Sequence, residues 1–272
     1  MDRNLIKIAI CYDFDGTLAP GNMQEYGFIQ TLNMTPAEFW EKSDALAQMH
    51  SADKNLAYML TMLREAEKRN IIVSRDYLRK IGKNVTYFAG VDTWFARLNA
   101  YAEKQGLHLQ HFLISSGLKG IINGLSIANE FTKVYASSFM FDKNGIAFWP
   151  AQAVNYTNKT QYLFRISKGC LDETDISVNY KTPSQYRDIA FDKMMYIGDG
   201  LTDIPCMAVL RKFGGHAIAV YADESGTDNA SHLLKDGRVD NIALADYSEG
   251  GRLEGLIKAW IDKIKSDIDL KA

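Results

Sequence analysis

The chain has 272 residues, 47% of them hydrophobic and 24% charged, with a formal net charge of -2 at pH 7. That length can bury a sizeable core, as one large domain or as a main domain carrying a smaller one, and the composition excludes a disordered or fibrous chain. The slight acidity gives no support to a nucleic-acid or anionic-membrane partner, so any anionic substrate must be met by local charge.

Taken in order, the first apolar run, Leu5 to Ile10, contains Lys7 and has no small-residue cleavage site after it, which marks a strand rather than a signal peptide. It continues through Cys11 and Tyr12 into Asp13-Phe14-Asp15-Gly16-Thr17. Residues 22 to 90 then read as almost purely helical. Thr35-Pro36-Ala37-Glu38 forms a capping box with proline at the first helical position, Leu56, Met59, Leu60 and Leu63 recur at helical spacing, and a short helix begins at Ser74. This block looks like a helical insertion of roughly 70 residues in an otherwise alternating chain.

From Val91 onward, strands and helices alternate. Val91, Trp94, Phe95, Leu98 and Tyr101 mark a helix ending near Gly106, followed by a buried strand over His111 to Ser115 and a helix near Leu118. Lys133 to Phe141 and Ile146 to Trp149 flank Asp142-Lys-Asn-Gly145, a hairpin turn signal. A helix over 158 to 168 comes next, then a strand Met194 to Ile197, a helix 201 to 212, and strands His216 to Tyr221 and Ile242 to Tyr247. A final helix carries Leu253, Leu256, Ile257, Trp260, Ile261 and Ile264 on its core face. The pattern predicts an α/β fold, a Rossmann-like, mostly parallel sheet with helices on both faces.

Other features take structural readings. Cys11, Cys170 and Cys206 have no metal or disulfide spacing, the five histidines show no ligand spacing, and the helical aromatics fit packing. Gly214-Gly215 reads as a helix stop. No run of 18 apolar residues exists, so no membrane span is expected and cytoplasm is the default location.

Three strands end in residues that can do chemistry: Asp13 and Asp15, Ser115 and Ser116, and Gly198-Asp199-Gly200. In an open parallel sheet the strand C-termini share one edge, where ligands bind. Side chains alternate on extended backbone, so Asp13 and Asp15 face one site while Phe14 turns to the apolar layer. Unit charges about 4 Å apart repel by roughly 1 kcal/mol in water and by several-fold more in a partly buried site. With Asp199 and Asp203 added, such an all-oxygen cluster calls for a hard cation such as Mg²⁺.

Asp13-Phe-Asp15-Gly16-Thr17, Ser115, Lys159 and Gly198-Asp199-Gly200-Leu-Thr-Asp203, in that order, resemble the four motifs of the haloacid dehalogenase superfamily. The helical block falls where members of the phosphoserine phosphatase-like branch carry a cap. The resemblance implies a core of residues 1–18 and 91–272 with a small all-helical cap at 19–90. It also implies a Mg²⁺-dependent phosphomonoester hydrolase acting on a small phosphorylated metabolite through an aspartyl phosphate.

By the same resemblance Asp13 is the nucleophile and Asp15 the general acid and base. Asp13, the Asp15 carbonyl and Asp199 hold the metal, and Asp203 orients the metal shell or Lys159. Gly16 and Thr17 shape the turn, while Ser115, Ser116 and Lys159 bind the phosphoryl oxygens. Lys168 and Lys181 compete with Lys159 for the lysine position. Dehalogenating members lack the second aspartate, which is present here as Asp15. A phosphotransferase using the same phosphoenzyme and a non-catalytic phospho-ligand-binding protein are the alternatives. Glu25, Arg64, Arg75 and Arg79 are the charged residues of the helical block available to recognise a substrate, and residues 170 to 192 form an insertion that lines the pocket or lies on the surface.

Overall fold

The computed structural model describes residues 5–270. Seven strands, β1 (Ile6–Tyr12), β2 (Leu107–Leu118), β3 (Lys133–Phe141), β4 (Ala147–Gln152), β5 (Met194–Gly198), β6 (His216–Tyr221) and β7 (Asn241–Leu244), form one sheet in the order β4-β3-β2-β1-β5-β6-β7. All neighbours are parallel except β3 and β4, the antiparallel pair turned by Asp142-Lys-Asn-Gly145. The Asp142 carboxylate accepts the N–H groups of Asn144 and Ile146, and Gly145 takes φ +75°, a left-handed conformation that glycine adopts without strain.

Ten α-helices accompany the sheet among the described residues. They are α1 (Phe28–Thr31), α2 (Pro36–His50), α3 (Lys54–Glu67), α4 (Arg75–Gly82), α5 (Val91–Lys104), α6 (Lys119–Ile122), α7 (Lys159–Lys168), α8 (Ile204–Lys212), α9 (Thr227–Lys235) and α10 (Arg252–Asp269). The capping box at Thr35 is present: its hydroxyl accepts from the Glu38 N–H while Glu38 reaches back to the Thr35 N–H.

Strand alternation divides the core into two apolar layers. Ile8, Ile10 and Tyr12 of β1 face one layer together with Trp94, Phe95, Ile257 and Ile261; Ala9 and Cys11 face the other with Tyr162, Leu163, Met207 and Leu210. The helical block between β1 and α5 joins the first layer, since Phe28, Ile29, Leu78 and Ile81 belong to the same buried cluster.

Several boundaries differ from the sequence expectation. β2 is longer at both ends than His111 to Ser115, because pairing with β1 begins at Leu107 and a bulge after Ser115 lets Leu118 rejoin β3. In α3 the buried face is Tyr58, Met59, Met62 and Ala66, and Leu56 is largely exposed. β7 stops at Leu244, while Tyr247 turns inward so that its hydroxyl donates to the Thr17 carbonyl at 2.7 Å. His111 is a core residue, bonded to Tyr12 and Asn99, and burial holds its imidazole neutral with a pKa near 3.

The Tyr247 corner is braced by a buried ion pair. Arg97 of α5 donates to Glu254 of α10 at 2.8 Å and to the Tyr247 carbonyl, and Glu254 also accepts the Gly250 N–H. Burial pushes the Glu254 carboxyl up, but Arg97, Gly250 and Lys258 outweigh it and hold the pKa at about 2, below the ordinary 4.5. Because the folded value is depressed, the stabilisation is complete above about pH 4.5 and is lost as pH falls toward 2. Glu254→Gln is therefore expected to cost roughly 1–3 kcal/mol at neutral pH. In thermal melts the gap from the native protein should close across that acid range; a gap independent of pH would contradict the assignment.

Candidate active site

β1 and β5 are neighbours at the centre of the sheet, and the chain departs from them in opposite directions, to β2 on one side and β6 on the other. Such a reversal point opens a crevice beyond the strand C-termini. Asp13 follows β1 directly, its N–H continuing the ladder to the Ile197 carbonyl at 2.9 Å, and Asp199 follows β5.

Asp13, Asp199 and Asp203 each bring a carboxylate oxygen into one cluster spanning no more than 4.8 Å. Lys159, fully buried at the start of α7, lies among them: its Nζ is 3.0 Å from Asp13 Oδ2 and 2.8 Å from Asp203 Oδ1. Burial opposes the lysine charge, yet the two carboxylates prevail and hold its pKa above the usual range. The competing lysines are elsewhere: Lys168 donates to the Val178 and Tyr180 carbonyls, and Lys181 is exposed.

Asp203 uses both oxygens on protein donors, Oδ1 on Lys159 and the Tyr196 hydroxyl (2.7 Å) and Oδ2 on the Gly200 N–H. That arrangement fits fixing the lysine better than gripping a metal directly. Asp13 is pushed well upward, by burial first and then by Asp203, against the pull of Lys159. Burial, and then Asp203, raise Asp199 to about 6. An uncompensated cluster of carboxylates would therefore take up protons. A hard divalent cation removes that cost, and an all-oxygen donor set suits Mg²⁺.

Asp15 stands apart from this cluster. Its Oδ1 accepts the Met23 N–H at 2.8 Å, and burial raises its pKa to about 7. Among the described residues, the Asp15 side chain is not part of the carboxylate cluster. Gly16 takes φ +74°, and any Cβ there would overlap the Asp199 carboxylate, so only glycine lets the turn pass. Thr17 is buried, its Oγ1 a long 3.4 Å from Asp199.

From β2, the buried Ser115 hydroxyl accepts the Gly117 N–H at 3.0 Å, which leaves its own proton free to donate. The Ser116 carbonyl accepts from Tyr58 and Ser137, and a Cβ on Gly117 would stand 3.1 Å from Asp15 Oδ2. The β2 terminus therefore abuts Asp15. A cleft of about 290 Å³ opens here, lined by Asp15, Ser116 and Gly117 below and by Gln24, Trp40 and Tyr58 above.

Sequence reasoning missed Tyr196 and the Met23 N–H. A tyrosine inside Met-Met-Tyr-Ile reads as core, and a backbone donor has no sequence signal. It also proposed Arg64, Arg75 and Arg79 as recognition residues, and none lines this cleft. Arg64 borders a groove between α2 and α3 with Lys42 and Glu65, while Arg75 and Arg79 line a recess with Lys119 and Phe141. Residues 170 to 192 do not line the cleft either; the Arg165 guanidinium holds this segment by the carbonyls of Asp172, Glu173 and Asp175.

A family model described as haloacid dehalogenase-like hydrolase matches residues 10–208. An uncharacterized protein of Borreliella burgdorferi is 28% identical, over 90% of this chain and 93% of the relative. Among solved structures, a phospho-aspartyl intermediate analogue of phosphoserine phosphatase superposes with a TM-score of 0.57 at 16% identity, covering 93% of this chain and 98% of that one. A cytosolic 5'-nucleotidase IIIB bound to cytidine gives 0.55 at 15% identity, covering 97% and 88%. At these identities the two superpositions speak for the fold.

Proposed function

The chain belongs to the haloacid dehalogenase-like hydrolases, and from that premise we propose that it is a phosphatase, a Mg²⁺-dependent hydrolase of small phosphate monoesters. The observation that carries the reading is Lys159, buried and bridging Asp13 and Asp203 beside Asp199, at the edge where the two central strands end. A binding protein has no need of a nucleophile and a separate acid, and the two aspartates have different partners: Asp13 lies against Lys159, while Asp15 accepts the Met23 N–H.

In this mechanism an Asp13 oxygen forms a bond to phosphorus as the ester P–O bond breaks, leaving an aspartyl phosphate. Asp15, held upward by burial, gives its proton to the departing alkoxide and then takes one from water as that water attacks phosphorus. Inorganic phosphate leaves and Asp13 is restored. The Ser115 hydroxyl, the Ser116 N–H and Lys159 bind phosphoryl oxygens, and Lys159 keeps Asp13 aligned. Asp13, the Asp15 carbonyl and Asp199 would hold Mg²⁺, which supplies charge neutralisation for the phosphoryl group. We read residues 19–90 as a cap that covers the site from the α2 and α3 side and limits the entry of water.

The test is phosphate release from a panel of monoesters with and without Mg²⁺. Asp15→Asn is expected to lower kcat/KM, which runs only as far as formation of the aspartyl phosphate, by about 10²–10⁴-fold. The loss should be smaller for phenyl phosphates with acidic leaving groups, which need less protonation. An equal loss on all leaving groups would speak against Asp15 as the acid.

A further inference from the structure

Tyr196 is a core tyrosine by its sequence setting and by most of its surroundings. It lies in the middle of β5, paired with Cys11 of β1 and Ala217 of β6, and it belongs to the second apolar layer together with Cys11, Cys206 and Met207. Its hydroxyl is the exception in that layer: buried with the rest, it donates to Asp203 Oδ1 at 2.7 Å. An ionised carboxylate only accepts, so the direction of this bond is fixed.

Asp203 needs such a partner because of what it holds. The same Oδ1 accepts Lys159 Nζ at 2.8 Å, and the lysine reaches on to Asp13 Oδ2 at 3.0 Å. Two of the three ammonium N–H groups are thereby spent, and their directions aim the third, the one left for a phosphoryl oxygen. A further donor to Asp203, the Gly200 N–H, reaches Oδ2 over a long 3.3 Å. With that bond alone the carboxylate could turn about its Cβ–Cγ bond, a broad torsion, and carry the lysine with it. The main chain of β5 completes the seat. Gly198 shares the face of Tyr196, two residues on, and a Cβ there would overlap Asp203 Oδ2. The carboxylate thus lies against bare backbone at one oxygen and is gripped by the Tyr196 hydroxyl at the other.

We infer that Tyr196 is a positioning residue for the hydrolytic reaction: its hydroxyl locks the Asp203 carboxylate and through it fixes where Lys159 meets the phosphoryl group. This rests on the phosphatase reading above and adds a residue to that site. The role differs from that of Asp203, whose charge keeps Lys159 in place. Tyr196 supplies direction alone, so its loss removes neither a buried charge nor a contact of the lysine.

The experiment measures kcat/KM in Mg²⁺ for phenyl phosphates of graded leaving-group acidity, in the native protein, Tyr196→Phe, Asp203→Asn and the double variant, with a thermal melt of each. Phenylalanine keeps the ring in its layer, and Asp203 keeps Lys159 and the Gly200 N–H, so the fold is retained. Tyr196→Phe is expected to lower kcat/KM by about tenfold. The loss should be equal for every leaving group, because Lys159 acts on phosphoryl oxygens while Asp15 serves the leaving oxygen. Asparagine at 203 no longer holds the lysine by charge, so the same substitution in that background should change kcat/KM by less than about twofold. A hydroxyl that only stabilises the core would lower the melting temperature and leave kcat/KM unmoved, which overturns the assignment. A second tenfold loss on top of Asp203→Asn, or a loss that grows as the leaving group becomes less acidic, overturns it too, since the hydroxyl would then act elsewhere in the site. Ester hydrolysis by the native protein alongside any of these results leaves the phosphatase reading standing; no hydrolysis of any ester removes both.

Discussion

Asp13→Asn is expected to lower the rate of phosphate release by about 10⁴–10⁶-fold while leaving the melting temperature at or above that of the native protein. The two effects have one cause. Asparagine retains an oxygen to accept the Phe14 N–H, which Asp13 Oδ1 now accepts at 2.8 Å, but it has no anion to attack phosphorus. Folding of the metal-free protein, by contrast, gains from the change. Burial and the neighbouring Asp203 both disfavour an ionised Asp13, and Lys159 keeps a partner in Asp203 after the substitution. Removing one carboxylate from a buried cluster relieves repulsion, as expected where a site is arranged for activity rather than stability. Phosphate release at saturating substrate and thermal melts without Mg²⁺ check the pair. Undiminished turnover would remove Asp13 as the nucleophile; a melt lowered by many degrees would show that its ion pair outweighs its burial.

The sequence was most legible where chemistry breaks an apolar pattern. Asp13-Phe-Asp15 and Gly198-Asp199-Gly200 end buried strands and Ser115 precedes the bulge near the end of β2, and the topology brings them to one edge around the junction of β1 and β5. Lys159 was only one of three candidates, because a helix-start lysine has no pattern of its own; its burial between two carboxylates is a product of the fold. α9 went unread because just Ala230 and Leu233 of its nine residues are buried, too few for a helical stripe. Arginines of the helical block were singled out because sequence favours charged residues as recognition groups. The helices direct those arginines into other grooves and leave amides, a hydroxyl and aromatics over Asp15.

Lys159→Met gives the second large effect, and its sign is opposite to that of Asp13→Asn. Methionine fills a similar volume but leaves Asp13 and Asp203 buried with no cation, and removing one member of a buried ionic network typically costs about 3–5 kcal/mol. For a chain of this size that corresponds to a drop of roughly 6–20 °C in the melting temperature. Phosphate release should fall with it, since a phosphoryl oxygen loses its ligand. The double variant Lys159→Met with Asp203→Asn separates charge from packing. Asparagine at 203 can still accept from the Tyr196 hydroxyl or the Gly200 N–H, yet it carries no buried charge. Its melting temperature should therefore recover part of the loss, while activity stays low because the lysine is still missing. The coupling between the two sites, read from the full double-mutant cycle, measures the pair itself. A double variant no more stable than Lys159→Met alone would mean that the lysine acts through packing, and the electrostatic account of the site would fail with it.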